Sequence, residues 1–529
     1  MPESYPNARS TTGTETRSWD VSFSSGMCPT CVKDCTTLCE IGKSAFRGRE
    51  VLYPNPEEYG KSTQASNKDY VLDFSDLQIM VDAIGAQGIE ANSDKAIFPN
   101  ADVSTTVGGV KLKVPVLVPG LGSTKVASDN WDGLAVGTAI SGTIMTIGEN
   151  VCGMDPKSTI EKGKVKESPD LRYRVEKYRE FWDGEYGDII VQTNVEDQRL
   201  GVDLYALNEL GVNIIERKWG QGAKAIGGEV RIDNLDRAIM LKKRGYVVLP
   251  DPEDKEVQAA FKKGVFKTFE RHSRVGMPEE KGFVEDINWL RDNGAKKVFL
   301  KTGAHRPAVV AFTMKVASDA KIDALTFDGA GGGTGMSPVP MMQECSTPTL
   351  FLEAQVLKCA EILKKQGRHV PDLVMAGGLI NETQIFKTIA MSNFGEGPYV
   401  KSSGMARSAI TAVFKGDYYT QLAKEGNLPM DFVNLYGNDP DTFFVASTDL
   451  QHRFGEDYKK LPPGAIGLYT YFVDRIGYGL QQLMAGSRKF KLDLISRDDL
   501  ASLTKRASTV TGIPLVEELE QGIIESILG

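Results

Sequence analysis

The sequence predicts an α/β protein whose central part is a (β/α)8 TIM barrel with an N-terminal Cys-rich extension and a C-terminal helical extension. Short runs rich in β-branched residues recur along the chain, and most of them are followed by glycine. Their nearly continuous hydrophobicity is typical of strands buried on both faces of a parallel sheet. Eight strand-then-helix units favour a closed barrel. A doubly wound open sheet is the alternative that this spacing leaves open.

Eight strands are predicted in the central part, with helix-like segments between them. Between the fourth and fifth strands lies an insertion, residues 228–294. Loops that follow barrel strands form the catalytic face, so we expect this insertion to shape the substrate cavity. The predicted strands are residues 114–118, 143–147, 188–192, 212–216, 297–301, 322–327, 372–375 and 398–402.

Three parts are expected along the chain. Residues 1–84 form an N-terminal extension with a cysteine cluster, residues 85–415 form the barrel, and residues 416–529 form a helical C-terminal extension. The last segment places Leu, Ile and Val at helical spacing, which is typical of core packing.

Composition and charge exclude several classes of function. The 529 residues are 41% hydrophobic and 25% charged, and the formal net charge is −8, the opposite of a nucleic-acid-binding footprint. No run approaches the ~20 apolar residues that span a bilayer, and the polar start lacks the apolar core of a signal peptide. We therefore expect a soluble cytoplasmic protein with neither nucleic-acid nor membrane partners, and leave a homo-oligomer open.

Four of the seven cysteines lie within twelve residues, namely Cys28, Cys31, Cys35 and Cys39. Four thiolates this close together are predicted to ligate a metal, either a [4Fe–4S] cluster or a zinc ion. Structural zinc usually pairs its cysteines across a longer loop, so the short spacing favours the iron–sulfur cluster. Zinc and free thiols are the alternatives.

Three glycine-rich segments follow the last three predicted strands. They are residues 328–338, 376–379 and 402–406. Loops without side chains bring backbone N–H groups against an anion, and barrels often hold a phosphate after strands seven and eight. We expect a phosphorylated cofactor or substrate, such as FMN, pyridoxal phosphate or a sugar phosphate. No Walker A or Rossmann pattern is present.

A basic loop follows the fourth predicted strand. Arg217, Lys218 and Lys224 stand within eight residues, together with Gln221. These side chains offer donors to a dicarboxylate or an N-heterocycle. A solvated basic loop is the alternative interpretation.

The motifs together resemble the FMN-binding synthase domain of glutamate synthases, in particular the stand-alone glutamate synthase-like proteins without a glutaminase domain. The resemblance extends over about residues 85 to 415, and the motifs follow one another in the same order as in the family. The segments that carry it are residues 120–124 (GLGST), 146–150 (TIGEN), 216–228 (ERKWGQGAKAIGG), 332–338 (GGTGMSP) and 377–379 (GGL).

The resemblance implies a role for individual residues. Lys218, Gln221 and Lys224 would hold 2-oxoglutarate or its imine, and Glu149 would be the acid near the flavin. Gln192 and Lys301 would face the isoalloxazine ring. The FMN phosphate would be bound by Gly332, Gly333, Gly378 and the Ser403-Gly404 turn, and Gly122, Ser123 and Gly377 complete the cofactor-binding set.

The chain also departs from the family pattern. Ala330 and Gly331 replace a His-Asp pair, Trp219 and Gly220 differ in the substrate loop, and the cysteines of the family's iron–sulfur cluster after the last phosphate loop are missing. The N-terminal cysteine run would take their place.

The resemblance implies an FMN-dependent oxidoreductase that reduces 2-iminoglutarate to glutamate with electrons from ferredoxin or a partner subunit. Two alternatives stand beside it. One is a transferase that joins an amine to glutamate, of the N-methylglutamate synthase type, and the other is a non-catalytic flavin and iron–sulfur electron-transfer subunit.

Overall fold

A computed structural model describes residues 31–36, 40–53, 60–66, 68–224 and 226–529. Its centre is a closed barrel of eight parallel strands in which each strand pairs with its neighbours along the chain and the last pairs with the first. The predicted barrel is confirmed. The strands are β1 Val116–Leu121, β2 Ile144–Ile147, β3 Ile189–Thr193, β4 Ile214–Lys218, β5 Lys297–Gly303, β6 Ala324–Asp328, β7 Asp372–Ala376 and β8 Val400–Gly404.

Helices surround the barrel, and many of them begin at a side chain that satisfies free backbone N–H groups. The side chains of Ser168, Asn194 and Asn381 each accept such a bond at a helix start. The main barrel helices are Trp131–Ile140, Pro169–Arg179, Val195–Leu200, Glu280–Asp292, Pro307–Asp319, Thr349–Lys365, Glu382–Met391 and Arg407–Lys424.

A β-hairpin closes the N-terminal end of the barrel. Its strands are Thr105–Val107 and Val110–Leu112, and their apolar side chains pack with inward-facing residues of the barrel strands in one cluster. At the turn, a Cβ on Gly108 would lie 2.4 Å from Cε1 of Phe299, so only glycine fits there. The open end of the barrel is therefore the opposite one, where the strands have their carboxyl ends.

The insertion after β4 folds at that open end. It contains an antiparallel sheet with strand order Glu229–Ile232, Phe269–His272 and Val247–Leu249. Helices Leu235–Lys243 and Lys255–Lys262 accompany the sheet, which has a small apolar core of its own. Within the predicted insertion, the last helix, Glu280–Asp292, belongs to the barrel ring.

The two ends of the described chain meet beside the barrel. Strand Leu77–Ile79 pairs antiparallel with Leu500–Ser502. Among the described residues, no helix is both long enough and apolar enough to cross a bilayer. The helices of the C-terminal extension are Met430–Tyr436, Ser447–Phe454, Pro463–Tyr469, Tyr478–Gly486, Lys505–Thr511 and Gln521–Leu528.

Candidate active site

A cavity lies at the open end of the barrel, enclosed by the loops that follow the strands and by the sheet of the insertion. We call it the barrel cavity. All but two of the substrate and cofactor residues predicted from the sequence line it. They are Gly122, Ser123, Glu149, Lys218, Gln221, Lys224, Lys301, Gly332, Gly333, Gly377, Gly378 and Gly404.

The other two predicted residues, Gln192 and Ser403, are buried in strands next to this cavity. Gln192 donates from Nε2 to Oε1 of Glu216 at 2.6 Å, while its own Oε1 has no partner in the described part of the chain. Gly120 lies so close that a Cβ there would be 2.5 Å from Oε1 of Gln192. Gln192 therefore lies directly behind the cavity wall with an unused acceptor.

One end of the barrel cavity, the glycine end, is formed by the loops after β6, β7 and β8. Gly331, Gly377 and Gly378 have φ values of +100°, +119° and +85°, a region that favours glycine. A Cβ on Gly377 would lie 2.5 Å from Oγ1 of Thr349. These loops pack against each other through bare backbone, which leaves their peptide groups accessible from the cavity.

Arg407 adds a positive charge to the glycine end, and the sequence analysis did not identify it. It lines the cavity as an exposed side chain at the start of helix Arg407–Lys424. A Cβ on Gly333 would lie 3.1 Å from Cβ of Arg407, so the two are neighbours. The signal in the sequence was its position immediately after the third glycine segment. Guanidinium, backbone N–H groups and helix N-terminus together suit a phosphate.

The opposite end, which we call the lysine end, contains a pair of opposite charges. Nζ of Lys218 donates to Oε1 of Glu149 at 2.6 Å and to Oε1 of Gln221 at 3.0 Å. Burial raises the pKa of Glu149, but the charge and hydrogen bond of Lys218 together outweigh it, so the pKa is lowered. Glu149 is therefore a carboxylate that keeps the Lys218 ammonium in place.

Lys224 lies in the same end without a carboxylate partner in the described residues. Its ammonium donates to the backbone carbonyl of Met336. Burial, and then the charge of Lys218, lower the pKa of Lys224 to about 8. This buried cation is complementary to an anion that enters the cavity.

Lys301 and Asp328 form the floor of the barrel cavity, with Nζ and Oδ2 3.2 Å apart. Burial lowers the pKa of Lys301, but the carboxylates of Asp328 and Glu216 outweigh it, and the pKa is raised. Burial raises the pKa of Glu216. A permanently charged lysine thus lies at the ends of the central strands.

Arg271 is a further lining residue that the sequence analysis missed. It comes from the central strand of the insertion sheet and is 1% exposed. Burial lowers its pKa. The sequence around it, Phe-Glu-Arg-His, carries no motif, and only the register of the sheet brings this side chain to the cavity.

The predicted metal ligands lie at the start of the described chain. Cys31 is exposed and Cys35 is partly buried, and both are free thiols. Cys28 and Cys39 lie outside the described residues. The metal site therefore stays a prediction.

The fold and the cavity define a TIM barrel whose open end is lined by glycine backbone and by cations. Residues 272–399 match the sequence model of a family described as the conserved region in glutamate synthase. This segment contains β5, β6 and β7 with the glycine loops after β6 and β7. The resemblance to glutamate synthases is confirmed over these residues.

A search of curated proteins finds no match to this chain. Among solved structures, the chain is similar to a lactate oxidase of Pediococcus acidilactici, with 14% identity, 79% of this chain and 81% of that chain covered, and a TM-score of 0.39. A flavocytochrome b2 with benzoylformate has 12% identity, with 86% of this chain and 81% of that chain covered, and a TM-score of 0.43. A monotopic membrane protein, (S)-mandelate dehydrogenase, has 12% identity, with 81% of this chain and 89% of that chain covered, and a TM-score of 0.42.

Proposed function

We propose that the chain is an FMN-dependent oxidoreductase that reduces a 2-imino or 2-oxo dicarboxylate, with 2-iminoglutarate to glutamate as the model reaction. One observation carries the proposal. A single cavity has a glycine-lined surface suited to a phosphate at one end, and at the other the buried ammonium of Lys224, which has no carboxylate partner among the described residues. The match of residues 272–399 to the glutamate synthase region supports the same conclusion.

The residues present fit FMN. Left-handed backbone at Gly331, Gly377 and Gly378 forms a cradle without side chains, and Arg407 stands beside it. The unused acceptor of Gln192 behind the wall suits an N–H donor on a heterocycle. The phosphate would be held at Gly332, Gly333, Gly378 and the Ser403-Gly404 turn, and Gly122 and Ser123 would complete the cofactor-binding wall.

When bound, FMN supplies a hydride to an electrophilic carbon of the substrate. Lys224 and Gln221 bind the carboxylate of the acid and hold its 2-carbon toward the floor. Glu149 is ionised, so it can hold the side chain of Lys218 by their hydrogen bond and accept a hydrogen bond from a protonated imine nitrogen. Lys301 would face the isoalloxazine ring and place a positive charge beside it, which favours the negative charge of the reduced flavin.

The electrons are proposed to come from ferredoxin or a reductase subunit and to pass through a cluster on the N-terminal cysteine run. Such a donor would meet the protein near the exposed Cys31.

Flavin release tests the cofactor. We expect protein purified in the dark to be yellow and to release about one FMN per chain on heating. Chromatography of the supernatant separates FMN from FAD and riboflavin. A colourless protein that also fails to bind added FMN contradicts the proposed function.

Metal analysis tests the cysteine run. We expect anaerobically purified protein to contain about four iron and four sulfide ions per chain, as four thiolates hold in a [4Fe–4S] cluster. Cys35→Ser is expected to lose most of this iron, whereas Cys345→Ser, at an exposed cysteine outside the run, retains it. Zinc without sulfide would refute the electron relay and leave a structural metal site.

A further inference from the structure

The turn that carries Glu149 is bound by a carboxylate from the neighbouring strand–helix unit. Asp197, on helix Val195–Leu200 after β3, accepts the backbone N–H of Asn150 with Oδ1 at 3.1 Å and with Oδ2 at 3.0 Å. The φ of Asn150 is +67°, in the left-handed region that costs energy for a residue other than glycine. Asp197 therefore supplies the hydrogen bond that this unfavourable turn needs.

The wall of the barrel cavity confines the same turn on its other side. Gly148 donates its N–H to the carbonyl of Leu121 at 2.9 Å. A Cβ on Gly122 would lie 2.4 Å from the carbonyl oxygen of Glu149, so the two segments touch through bare backbone. Glu149 thus reaches Lys218 from a turn that is held between the loop after β1 and Asp197.

Asp197 has no cationic partner of its own. It is 1% exposed, no cation lies at ion-pair distance from it in the described chain, and its remaining hydrogen bond comes from the N–H of Asn194 at 3.2 Å. The side chain of Asn194 already caps the helix, so the contact of Asp197 with Asn150 is additional to the cap. A buried carboxylate without a cation is costly, and the contacts that offset this cost go mainly to the turn of Glu149.

We propose that Asp197 is a positioning residue that holds the turn at residues 148–150 and thereby fixes the carboxylate of Glu149 where the nitrogen of the substrate imine binds. This inference rests on the proposed function and deepens it. It assigns the orientation of Glu149 to a residue that is buried behind the cavity wall.

The protonation of Asp197 gives this role a pH dependence. Burial raises the pKa of Asp197 to about 7, although the N–H groups of Asn150 and Asn194 act against it. Above that pH both oxygens of the carboxylate accept hydrogen bonds, and below it one of them becomes a hydroxyl. The hold on the turn is therefore strongest above about pH 7 and weakens below it.

The groups around Asp197 do not titrate in the same range. Glu149 is ionised, and burial raises the pKa of Cys152 and of Tyr246, which keeps both neutral near pH 7. Asp203 is held by an ion pair with Arg217 at 2.8 Å. The charged and titratable groups that act on Asp197 from the surrounding elements are Glu149, Cys152, Asp203, Tyr246 and Arg271.

The test follows the oxidation of reduced flavin in the full-length, FMN-loaded protein. Protein reduced with stoichiometric dithionite is mixed anaerobically with saturating 2-oxoglutarate and ammonium chloride in a stopped-flow instrument. At about pH 8 we expect Asp197→Asn to slow the oxidation by roughly tenfold or more, because Glu149 is misplaced. Calorimetry should show that the affinity for 2-oxoglutarate is retained, since Lys224 and Gln221 are unchanged.

The pH profile separates positioning from a merely structural role. The ratio of the wild-type rate to the Asp197→Asn rate should fall toward one as the pH is lowered through about 7, because protonation then weakens the same hold in the wild type. The ratio removes the pH dependence of imine formation, which both proteins share. Asp254→Asn is the matched control, an exposed aspartate that also accepts two backbone N–H groups, and it should resemble the wild type throughout.

Hydrogen–deuterium exchange measures the turn without any turnover. In Asp197→Asn we expect faster exchange in the peptide that covers residues 148–154, unchanged exchange elsewhere, and a Tm close to that of the wild type. An unchanged oxidation rate, a rate ratio that does not vary with pH, or unchanged exchange at residues 148–154 overturns the inference. Faster exchange throughout the chain with a lowered Tm makes Asp197 a structural residue and also overturns it.

The two proposals fail in different ways. A wild-type protein whose reduced FMN is oxidised by 2-oxoglutarate with ammonium, beside an Asp197→Asn variant that reacts equally fast, contradicts only the role of Asp197. A wild-type protein without flavin, or without any response of its reduced flavin to the acid and ammonium, contradicts the proposed function and this inference together.

Discussion

Replacing Lys224 by alanine is expected to weaken 2-oxoglutarate binding by roughly ten- to a hundredfold while the FMN spectrum is kept. A charge-assisted hydrogen bond to a carboxylate is worth about 1.5 to 3 kcal/mol, which corresponds to that range. The flavin should be spared because Lys224 lies at the lysine end, whereas the phosphate is proposed to bind at the glycine end. Calorimetric titration of flavin-loaded protein measures the affinity for 2-oxoglutarate, and the absorption spectrum of the same sample shows whether FMN is kept.

The same lysine sets the expected pH dependence. Its pKa is lowered to about 8, so the side chain is charged below that pH and neutral above it. Wild-type affinity for 2-oxoglutarate should therefore fall as the pH rises through about 8, and Lys224→Arg should remove that fall because arginine stays protonated. If the alanine variant binds the acid as the wild type does, the loop is a solvated basic segment.

Arg407→Glu is expected to weaken FMN binding by about a hundredfold or more, because a favourable charge-assisted contact becomes a repulsion between two negative groups. Riboflavin has the same ring system without the phosphate, so its affinity should change little. The exposed position of Arg407 leaves folding unaffected. Fluorescence quenching of each flavin on titration with apoprotein measures both constants.

The control for this prediction is Lys415→Glu, which makes the same change of charge on the same helix at an exposed position away from the cavity. FMN binding by this variant should match the wild type. Equal weakening in both variants would indicate a general effect of net charge, and equal weakening for riboflavin would place Arg407 outside the phosphate site.

The strands and most of the site were predictable because both leave local patterns. Strands buried on both faces are continuous apolar runs, and phosphate loops are runs of glycine. Even so, β1 ends at Leu121 and β5 at Gly303, beyond the predicted ends at 118 and 301. Strand β1 pairs again at Leu121 after an irregularity, and the pairing of β5 continues through Thr302 and Gly303.

Arg271 and the barrel-closing hairpin show what a local pattern does not contain. Arg271 reaches the cavity through the antiparallel register of three strands, which depends on contacts between distant segments. The hairpin at Thr105–Val107 lies in what reads as a polar stretch, and its apolar side chains become significant only when the barrel end is there to receive them. Such pairings are decided by tertiary packing rather than by sequence propensity.

The pairing of Leu77–Ile79 with Leu500–Ser502 has a consequence for how the chain is made. The early strand leaves the ribosome about 420 residues before its partner, and at about 5 to 20 residues per second it waits roughly 20 to 80 seconds. During that interval the strand lacks its pairing partner, and Leu77, which is fully buried in the complete fold, lacks the cover that strand Leu500–Ser502 provides. Nascent chains arrested before residue 500 should therefore be captured by chaperones through this segment, and release should coincide with translation of the last strand.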